Sequence, residues 1–220
     1  MLEQLIAWDK SLFIFSNSFH TAYFDNFFWI FTQATTWIPL YLSLLFILIK
    51  TKKKDAIWII LGIAVTILLS DQISSGLIKP LVARLRPSHE PSLSAIIHLI
   101  NGYQGGAFGF VSSHAANSFG LALFTSFLFR NKTFSVTIFC WAFVNSYSRI
   151  YVGVHYPLDI IGGALIGLLS AGLVYSQLKK YKPSIFIESR TEKSFFYSEK
   201  LILLTLTLIV LLIVAFAWIK

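Results

Sequence analysis

The stretch SRIYVGVHYPLD, residues 148–159, sets Arg149, His155 and Asp159 at intervals of six and four. It lies between two long apolar runs, so the three groups stand where membrane-crossing segments would end. A cation, an imidazole and a carboxylate are costly to hold at the edge of a bilayer, and such residues usually serve something. Pro157 suits the first position of a helix, where its missing N–H costs nothing. His155 then precedes that helix and Asp159 falls in its first turn, where the carboxylate can reach back to the imidazole. That bond would fix the tautomer and leave the other ring nitrogen free to attack an electrophile. Taken alone, the pair reads more simply as a structural His–Asp contact. Two further groups of residues change that.

Upstream, Lys79 closes an apolar run and Arg86-Pro87 follow seven residues later. Pro80 and Pro87 are expected to stop the helix, letting the segment fold over the mouth of a bundle. A Lys supplies a point charge and an Arg a planar fork, and both suit phosphate oxygens. Alone, Lys79, Arg84 and Arg86 read equally well as an exposed basic helix end touching lipid headgroups. Ser112-Ser113-His114 opens the next apolar run. The first N–H groups of a helix lack internal partners and favour an anion, although the same serines would serve as a plain N-cap. These parts together can handle a phosphoryl group: cations to hold it, one His to attack it, another to protonate what leaves.

Composition sets the class. Of 220 residues 56% are hydrophobic and only 13% charged, against roughly 25% charged in ordinary soluble proteins. This predicts an all-α polytopic membrane protein. Stretches 57–78, 114–129, 133–148, 158–178 and 201–219 approach the ~20 residues that span a bilayer. A sixth, 27–49, is interrupted by Gln33, Thr35, Thr36 and Pro39 and reads as a kinked span. Residues 1–26 are expected to form an amphipathic helix with Leu5, Trp8, Leu12, Phe15 and Phe19 on one stripe, lying in the interface or packed on the bundle. The chain is read as one domain, 1–220, with its chemistry within 79–159. Between Ser88 and Val111 the apolar Leu93, Ile96, Ile97 and Ile100 suggest a short interfacial helix, and His89 and His98 read as ordinary loop residues. The single cysteine, Cys140, excludes an internal disulfide and is expected to be buried.

The net charge of +8 does not point to nucleic acid, because the basic residues lie in short loops. With six spans, twelve of the eighteen Lys and Arg fall on one side: Lys50, Lys52, Lys53, Lys54, Arg130, Lys132, Lys179, Lys180, Lys182, Arg190, Lys193 and Lys200. The positive-inside rule makes that side cytoplasmic and places every site residue on the other.

In order, spacing and placement, Lys79-x6-Arg86-Pro87, Ser112-Ser113-His114 and Ser148-Arg149-x5-His155-x3-Asp159 resemble the three-part signature of the type 2 phosphatidic acid phosphatase family. The resemblance implies a six-helix bundle and a metal-independent lipid phosphatase without a cofactor. By that carry-over His155 is the nucleophile that becomes phosphohistidine and Asp159 orients it. His114 protonates the leaving oxygen and then activates water. Lys79, Arg86 and Arg149 hold the phosphoryl oxygens, helped by Ser112 and the N–H of Ser113. The sequence itself offers no further His/Asp cluster at metal-ligand spacing. It departs from the family where Val111 and Ser113 replace the usual Pro and Gly; helical angles are expected at Ser113. Asp71, outside the family pattern, is expected to position Lys79 or Arg149.

The expected partners are a membrane lipid phosphate and the bilayer, with no obligate protein partner, in a bacterial inner membrane with the site on the extracytoplasmic face. The substrates expected, in order, are undecaprenyl diphosphate, phosphatidylglycerol phosphate and the phosphates of lipid A. A phosphotransferase of the same fold is one alternative; a non-enzymatic lipid or anion carrier, needing no nucleophile, is the other.

Overall fold

The structure is a computed structural model that describes residues 1–186 and 193–219. Arg190 and Lys220, counted above, lie outside them. Helices α1 (Leu2–Ser18), α2 (Ala22–Thr32), α3 (Ile38–Lys52), α4 (Ala56–Asp71) and α5 (Lys79–Val82) come first. They are followed by α6 (Ser113–Phe129), α7 (Lys132–Tyr151), α8 (Pro157–Tyr181) and α9 (Lys193–Phe216). The described residues form an all-helical bundle. Three stretches, Ala34–Val82, Pro157–Tyr181 and Glu199–Phe216, are long and apolar enough to cross a membrane by length and composition. The first holds two helices, because Lys53 (φ 48°) turns the chain between α3 and α4. α6 and α7 carry Ser113, His114 and Arg149 at their ends.

The expected kink in 27–49 falls at Gln33, the first of the four interrupting residues. α2 ends at Thr32, a 3-10 turn covers Ala34–Trp37, and Pro39 sits in the first turn of α3, where it needs no partner. Thr36 Oγ1 donates to the Ile30 carbonyl (2.6 Å) and Trp37 Nε1 to the Phe31 carbonyl (2.9 Å), so side chains satisfy carbonyls freed by the break. Pro80, expected to stop its helix, does not. A π segment, Gln72–Ile78, carries the Lys79 N–H back to the Ser74 carbonyl, and the helix runs on to Val82 before Ala83 turns left-handed (φ 49°). A π turn shifts the register of everything after it, and here it re-aims Lys79.

α6 and α8 pack against each other more extensively than any other pair. Gly163 and Gly167 of α8 press on the backbone carbonyls of Ser112 and Ala116, where a Cβ would collide. Small residues one turn apart on both helices permit this approach, and it brings the starts of α6 and α8 together.

The stripe expected on α1 is exposed along its length, and the helix docks through its other face, Asp9, Phe13 and Asn17. α2 begins at Ala22, earlier than expected. The expected interfacial helix between Ser88 and Val111 is absent. The segment forms 3-10 turns at Pro87–His89, Pro91–Leu93 and Ile100–Gly102, because Leu93 and Ile100 are buried inward rather than laid on the bilayer. Asn17 holds this loop by its side chain, accepting from the His98 N–H (2.7 Å) and donating to the His98 carbonyl (3.0 Å). His98 also pairs with Asp25 (2.8 Å). Cys140, expected inside, is exposed on α7; on a lipid-facing flank a thiol is merely a small apolar surface.

Candidate active site

The residues expected to act together converge at one end of the bundle. His155 is buried in the short connection between α7 and α8. Its Nδ1 lies 3.2 Å from Asp159 Oδ2, one turn into α8. Asp159 Oδ2 also accepts the Tyr156 N–H (3.0 Å), so the helix start itself holds the carboxylate. Arg86 Nη1 lies 3.1 Å from His155 Nε2. A guanidinium can only donate, so Nε2 carries the lone pair and Nδ1 the proton that Asp159 accepts. Burial pushes the His155 imidazole well below its ordinary pKa, and the charges of Arg86, Arg149 and Lys79 act in the same direction. The ring is therefore held neutral with Nε2 turned towards the cations, which is the nucleophilic tautomer.

Arg86 and Arg84 sit two residues apart on a short extended segment. It is clamped by Arg86 N–H to the Ala107 carbonyl (3.0 Å) and Gly109 N–H to the Arg84 carbonyl (2.8 Å). Gly109 is needed there, since a Cβ would stand 2.8 Å from Asp159 Oδ2 and 3.3 Å from Arg86 Cγ. Arg86 Nε further donates to the Phe108 carbonyl (3.1 Å), fixing the fork.

Arg149, at the end of α7, donates to Thr32 Oγ1 (2.8 Å) and to the Tyr103 hydroxyl (3.3 Å), while its Nε is buried without a partner. Lys79 Nζ donates to Ser75 Oγ and Ser113 Oγ, both 3.0 Å. Ser75 Oγ in turn donates to Asp71 Oδ1 (3.3 Å). Asp71 thus reaches Lys79 through one hydroxyl and does not contact Arg149.

Ser113 opens α6 and is not among the residues of positive φ. Its hydroxyl holds the Lys79 ammonium, a contact that glycine lacks. Val111 is buried, and a Cβ on Gly162 would meet its Cγ1 at 2.6 Å, so α8 leaves room for this side chain. The Ser112 hydroxyl is fully buried and accepts the Ala115 N–H (3.4 Å), while its own N–H donates to the Asp159 carbonyl (2.8 Å). Both polar groups of Ser112 are engaged inside the fold. The first free helix donors are the N–H groups of Ser113 and His114. His114 Nε2 rests 3.2 Å from the Thr32 carbonyl, which leaves Nδ1 for the site.

Four residues join the site unforeseen. Arg84 bridges two buried carboxylates, donating Nη1 to Asp159 Oδ1 (3.1 Å) and Nη2 to Asp9 Oδ2 (2.6 Å). Its guanidinium lies 4.0 Å over the Tyr156 ring. Asp9 Oδ1 accepts the Leu158 N–H (2.8 Å), tying α1 to the start of α8. Thr32 and Tyr103 hold Arg149. Only Asp9 left a trace in the sequence: it shares a face with Phe13 and Asn17, one turn apart, on a helix whose other face is apolar. Among the described residues, no group of three or more His, Cys, Asp and Glu side chains is placed to hold a metal ion.

Residues 55–183 match the PAP2 superfamily. The chain is 45% identical over 177 residues to the lipid A 4'-phosphatase of Bacteroides thetaiotaomicron, covering 80% of this chain and 79% of that protein. It is 38% identical over 175 residues to the lipid A 4'-phosphatase of Porphyromonas gingivalis, covering 79% and 74%. Among solved structures, the crystal structure of Aquifex aeolicus LpxE superposes with a TM-score of 0.58 at 26% identity, covering 76% of this chain and 93% of that one. With the match spanning α4 to α8 and the three motifs gathered at one end of the bundle, the chain belongs to the PAP2 superfamily, among its membrane lipid phosphatases.

Proposed function

We propose that this single-domain protein removes the 4'-phosphate of lipid A through a phosphohistidine, on the extracytoplasmic side of a bacterial inner membrane. The observation that carries the chemistry is the orientation of His155, with Asp159 on Nδ1 (3.2 Å) and a cation beside Nε2 (3.1 Å). Arg86 occupies the lone pair of the nucleophile in this state. An incoming phosphate dianion offers the guanidinium a better partner, so substrate binding draws Arg86 onto a phosphoryl oxygen and uncovers Nε2. Lys79, Arg149 and the N–H groups of Ser113 and His114 then surround the remaining oxygens.

The Nε2 lone pair attacks phosphorus, the P–O bond to the sugar breaks, and protonated His114 gives its Nδ1 proton to the departing oxygen. Neutral His114 next takes a proton from water, whose oxygen attacks the phosphohistidine. The P–N bond breaks, inorganic phosphate leaves, and His155 is neutral again. Positioning and charge stabilisation supply most of the rate enhancement in such transfers. The two relatives named for lipid A, matched over about four fifths of this chain, move that lipid ahead of undecaprenyl diphosphate, which the sequence alone ranked first. The predominance of Lys and Arg in the loops at the far end supports the sidedness.

The test is phosphate release by purified, detergent-solubilised protein with excess chelator. Lipid A bisphosphate, undecaprenyl diphosphate and phosphatidylglycerol phosphate are supplied in parallel, with His155→Ala as control. The expected result is chelator-resistant release from lipid A, lost in the variant, with mass spectrometry locating the loss at the 4' position. Release from undecaprenyl diphosphate alone would overturn the substrate, and full activity of His155→Ala would overturn the mechanism.

A further inference from the structure

Helix α1 meets the bundle at two points that fix how it lies. Asp9 Oδ1 accepts the N–H of Leu158, in the first turn of α8 (2.8 Å). Asn17 Nδ2 donates to the carbonyl of Tyr151, the last residue of α7 (3.0 Å). Residues 152–156 join these two helix ends, so both lie at the end of the bundle that holds the site. Asp9 and Asn17 are eight positions apart, which is about 12 Å along a helix. Between them Phe13 packs on the Tyr156 ring (5.4 Å). α1 therefore crosses from the start of α8 to the end of α7, over the end of the bundle, and does not run alongside either helix.

The face turned away from these contacts carries Leu5, Trp8, Leu12 and Phe15 at helical spacing. Trp8 and Phe15 are 65% and 62% exposed, whereas Phe13 on the inner face is fully buried. An apolar face of this extent marks an interaction surface. Its surroundings assign the occupant. The exposed ridge of α8, Ile161, Leu165 and Leu169, is the flank a membrane lipid phosphatase turns to the bilayer. That ridge begins within a turn of Leu158, which α1 caps, so the stripe continues the lipid-facing surface at headgroup depth. An amphipathic helix with Trp, Phe and Leu on one face suits that depth.

The inner face of the same helix reaches the reaction. Asp9 Oδ2 accepts from Arg84 Nη2 (2.6 Å), and Arg84 Nη1 donates to Asp159 Oδ1 (3.1 Å). This leaves Asp159 Oδ2 to accept from His155 Nδ1 (3.2 Å). A carboxylate is planar, so fixing one oxygen sets the bearing of the other. We infer that α1 is a positioning helix seated in the lipid headgroup region. The bilayer holds its apolar stripe, and Asp9, through Arg84, sets the carboxylate that orients the nucleophile. The inference rests on the phosphohistidine reading above and adds a membrane contact by which the site is kept aligned.

The test uses nanodiscs carrying lipid A bisphosphate or undecaprenyl diphosphate. Wild type is compared with Asp9→Asn, with the stripe variant Trp8→Ser/Leu12→Ser/Phe15→Ser, and with the two combined. Asp9→Asn keeps an acceptor for the Leu158 N–H and loses the charge that holds Arg84. In each single set kcat is expected to fall about 10-fold with KM little changed, short of the ~100-fold that an ångström of misplacement costs. The combined variant should fall no further, because both changes act through one path. The low-field Nδ1 proton of His155, which reports its bond to Asp159, is expected to shift in all three. Misfolding would instead lower kcat by removing active molecules and leave the signal of the remainder in place. A nitroxide attached at Phe15→Cys, in protein also carrying Cys140→Ser, is expected to meet oxygen more often than a water-soluble nickel complex. Wild-type kcat in Asp9→Asn or in the stripe variant would overturn the inference. So would losses that multiply in the combined variant, an unmoved His155 proton, or a nitroxide that meets mainly the nickel complex. A dimer that the stripe variant dissociates would also overturn it, since a second copy would then be the occupant. None of these outcomes touches the phosphohistidine reading, which falls if His155→Ala keeps its activity.

Discussion

Replacing Arg84 with Met should unsettle this protein far more than loss of a surface cation would. The Arg84 side chain is 20% exposed and joins Asp9 (1%) to Asp159 (0%) at 2.6 and 3.1 Å. Met matches the stem of Arg but offers no donor, so two carboxylates are left buried around an apolar chain. Removing one partner of a buried ion pair costs about 3–5 kcal/mol. At about 2–4 °C per kcal/mol for a chain of this size, the expected fall in Tm in detergent is roughly 6–20 °C. Removing one of the two stranded charges should recover part of it: Arg84→Met/Asp9→Asn is expected to be more stable than Arg84→Met by about 1–2 kcal/mol, within the range of coupling between contacting residues. Thermal unfolding by tryptophan fluorescence completes the cycle. An Arg84→Met cost below about 1 kcal/mol, or a double variant no better than the single, would refute the buried bridge.

The same variant has a pH signature. Burial raises the Asp9 pKa, opposed by the Leu158 N–H and by Arg84. A carboxylate with a raised folded pKa contributes stability that is full below its unfolded pKa and is lost as pH rises through the folded value. Met at position 84 removes an influence that lowers the Asp9 pKa, so the loss deepens. The destabilisation should be largest near pH 8 and shrink as the buffer approaches the ordinary carboxylate range. A penalty independent of pH would refute the argument.

Gly109→Ala should lower phosphate release about 100-fold, because its Cβ would push on Asp159 Oδ2 and Arg86 at once and small misplacements in a site cost on that order. Gly106→Ala, with nothing near its Cβ, should stay within about 2-fold and serves as its control. Asp71→Asn should cost about 3- to 10-fold in kcat/KM, near 1 kcal/mol, and Ser75→Ala a similar amount. Turnover and stability unchanged in Asp71→Asn would sever the link to Lys79. His155 should remain neutral from pH 8 to pH 6 in imidazole ¹⁵N spectra assigned against His155→Ala, and an imidazolium at pH 6 would contradict the burial argument.

The residues named from the sequence were legible because their signals are local. Lys79, His114, Arg149, His155 and Asp159 each interrupt or end an apolar run, and a charged or titratable group there needs a reason that can be stated without a partner. The bridging residues had no such signal. Arg84 reads like any basic helix end until the structure brings it to Asp159, 75 residues away, and Thr32 is an ordinary helical threonine until Arg149, 117 residues away, donates to it. The stop expected at Pro80 was misplaced for a related reason, while the kink in 27–49 fell at Gln33, one of the residues that interrupt that run. Pro39 and Pro80 look like helix stops, but the 3-10 turn after Gln33 and the π turn before Lys79 place each proline where it forfeits no bond.

The two kinds of residue divide the work along the same line. The motif residues meet at one end of the bundle, where spacing along the chain suffices to gather charge. The residues found only by folding, Asp9, Arg84, Thr32 and Tyr103, stand behind them and fix which nitrogen and which fork points inward. Chemistry of this kind depends on orientation to within tenths of an ångström, and part of that orientation comes from Asp9 of α1 and Thr32 at the end of α2, outside the 55–183 match to the superfamily, while Arg84 and Tyr103 lie within it. His114, His155 and Asp159 thus lie in the matched segment, while part of the framework around them is supplied by segments before it. Substitutions at Asp9 or Thr32 should therefore alter turnover of every lipid alike.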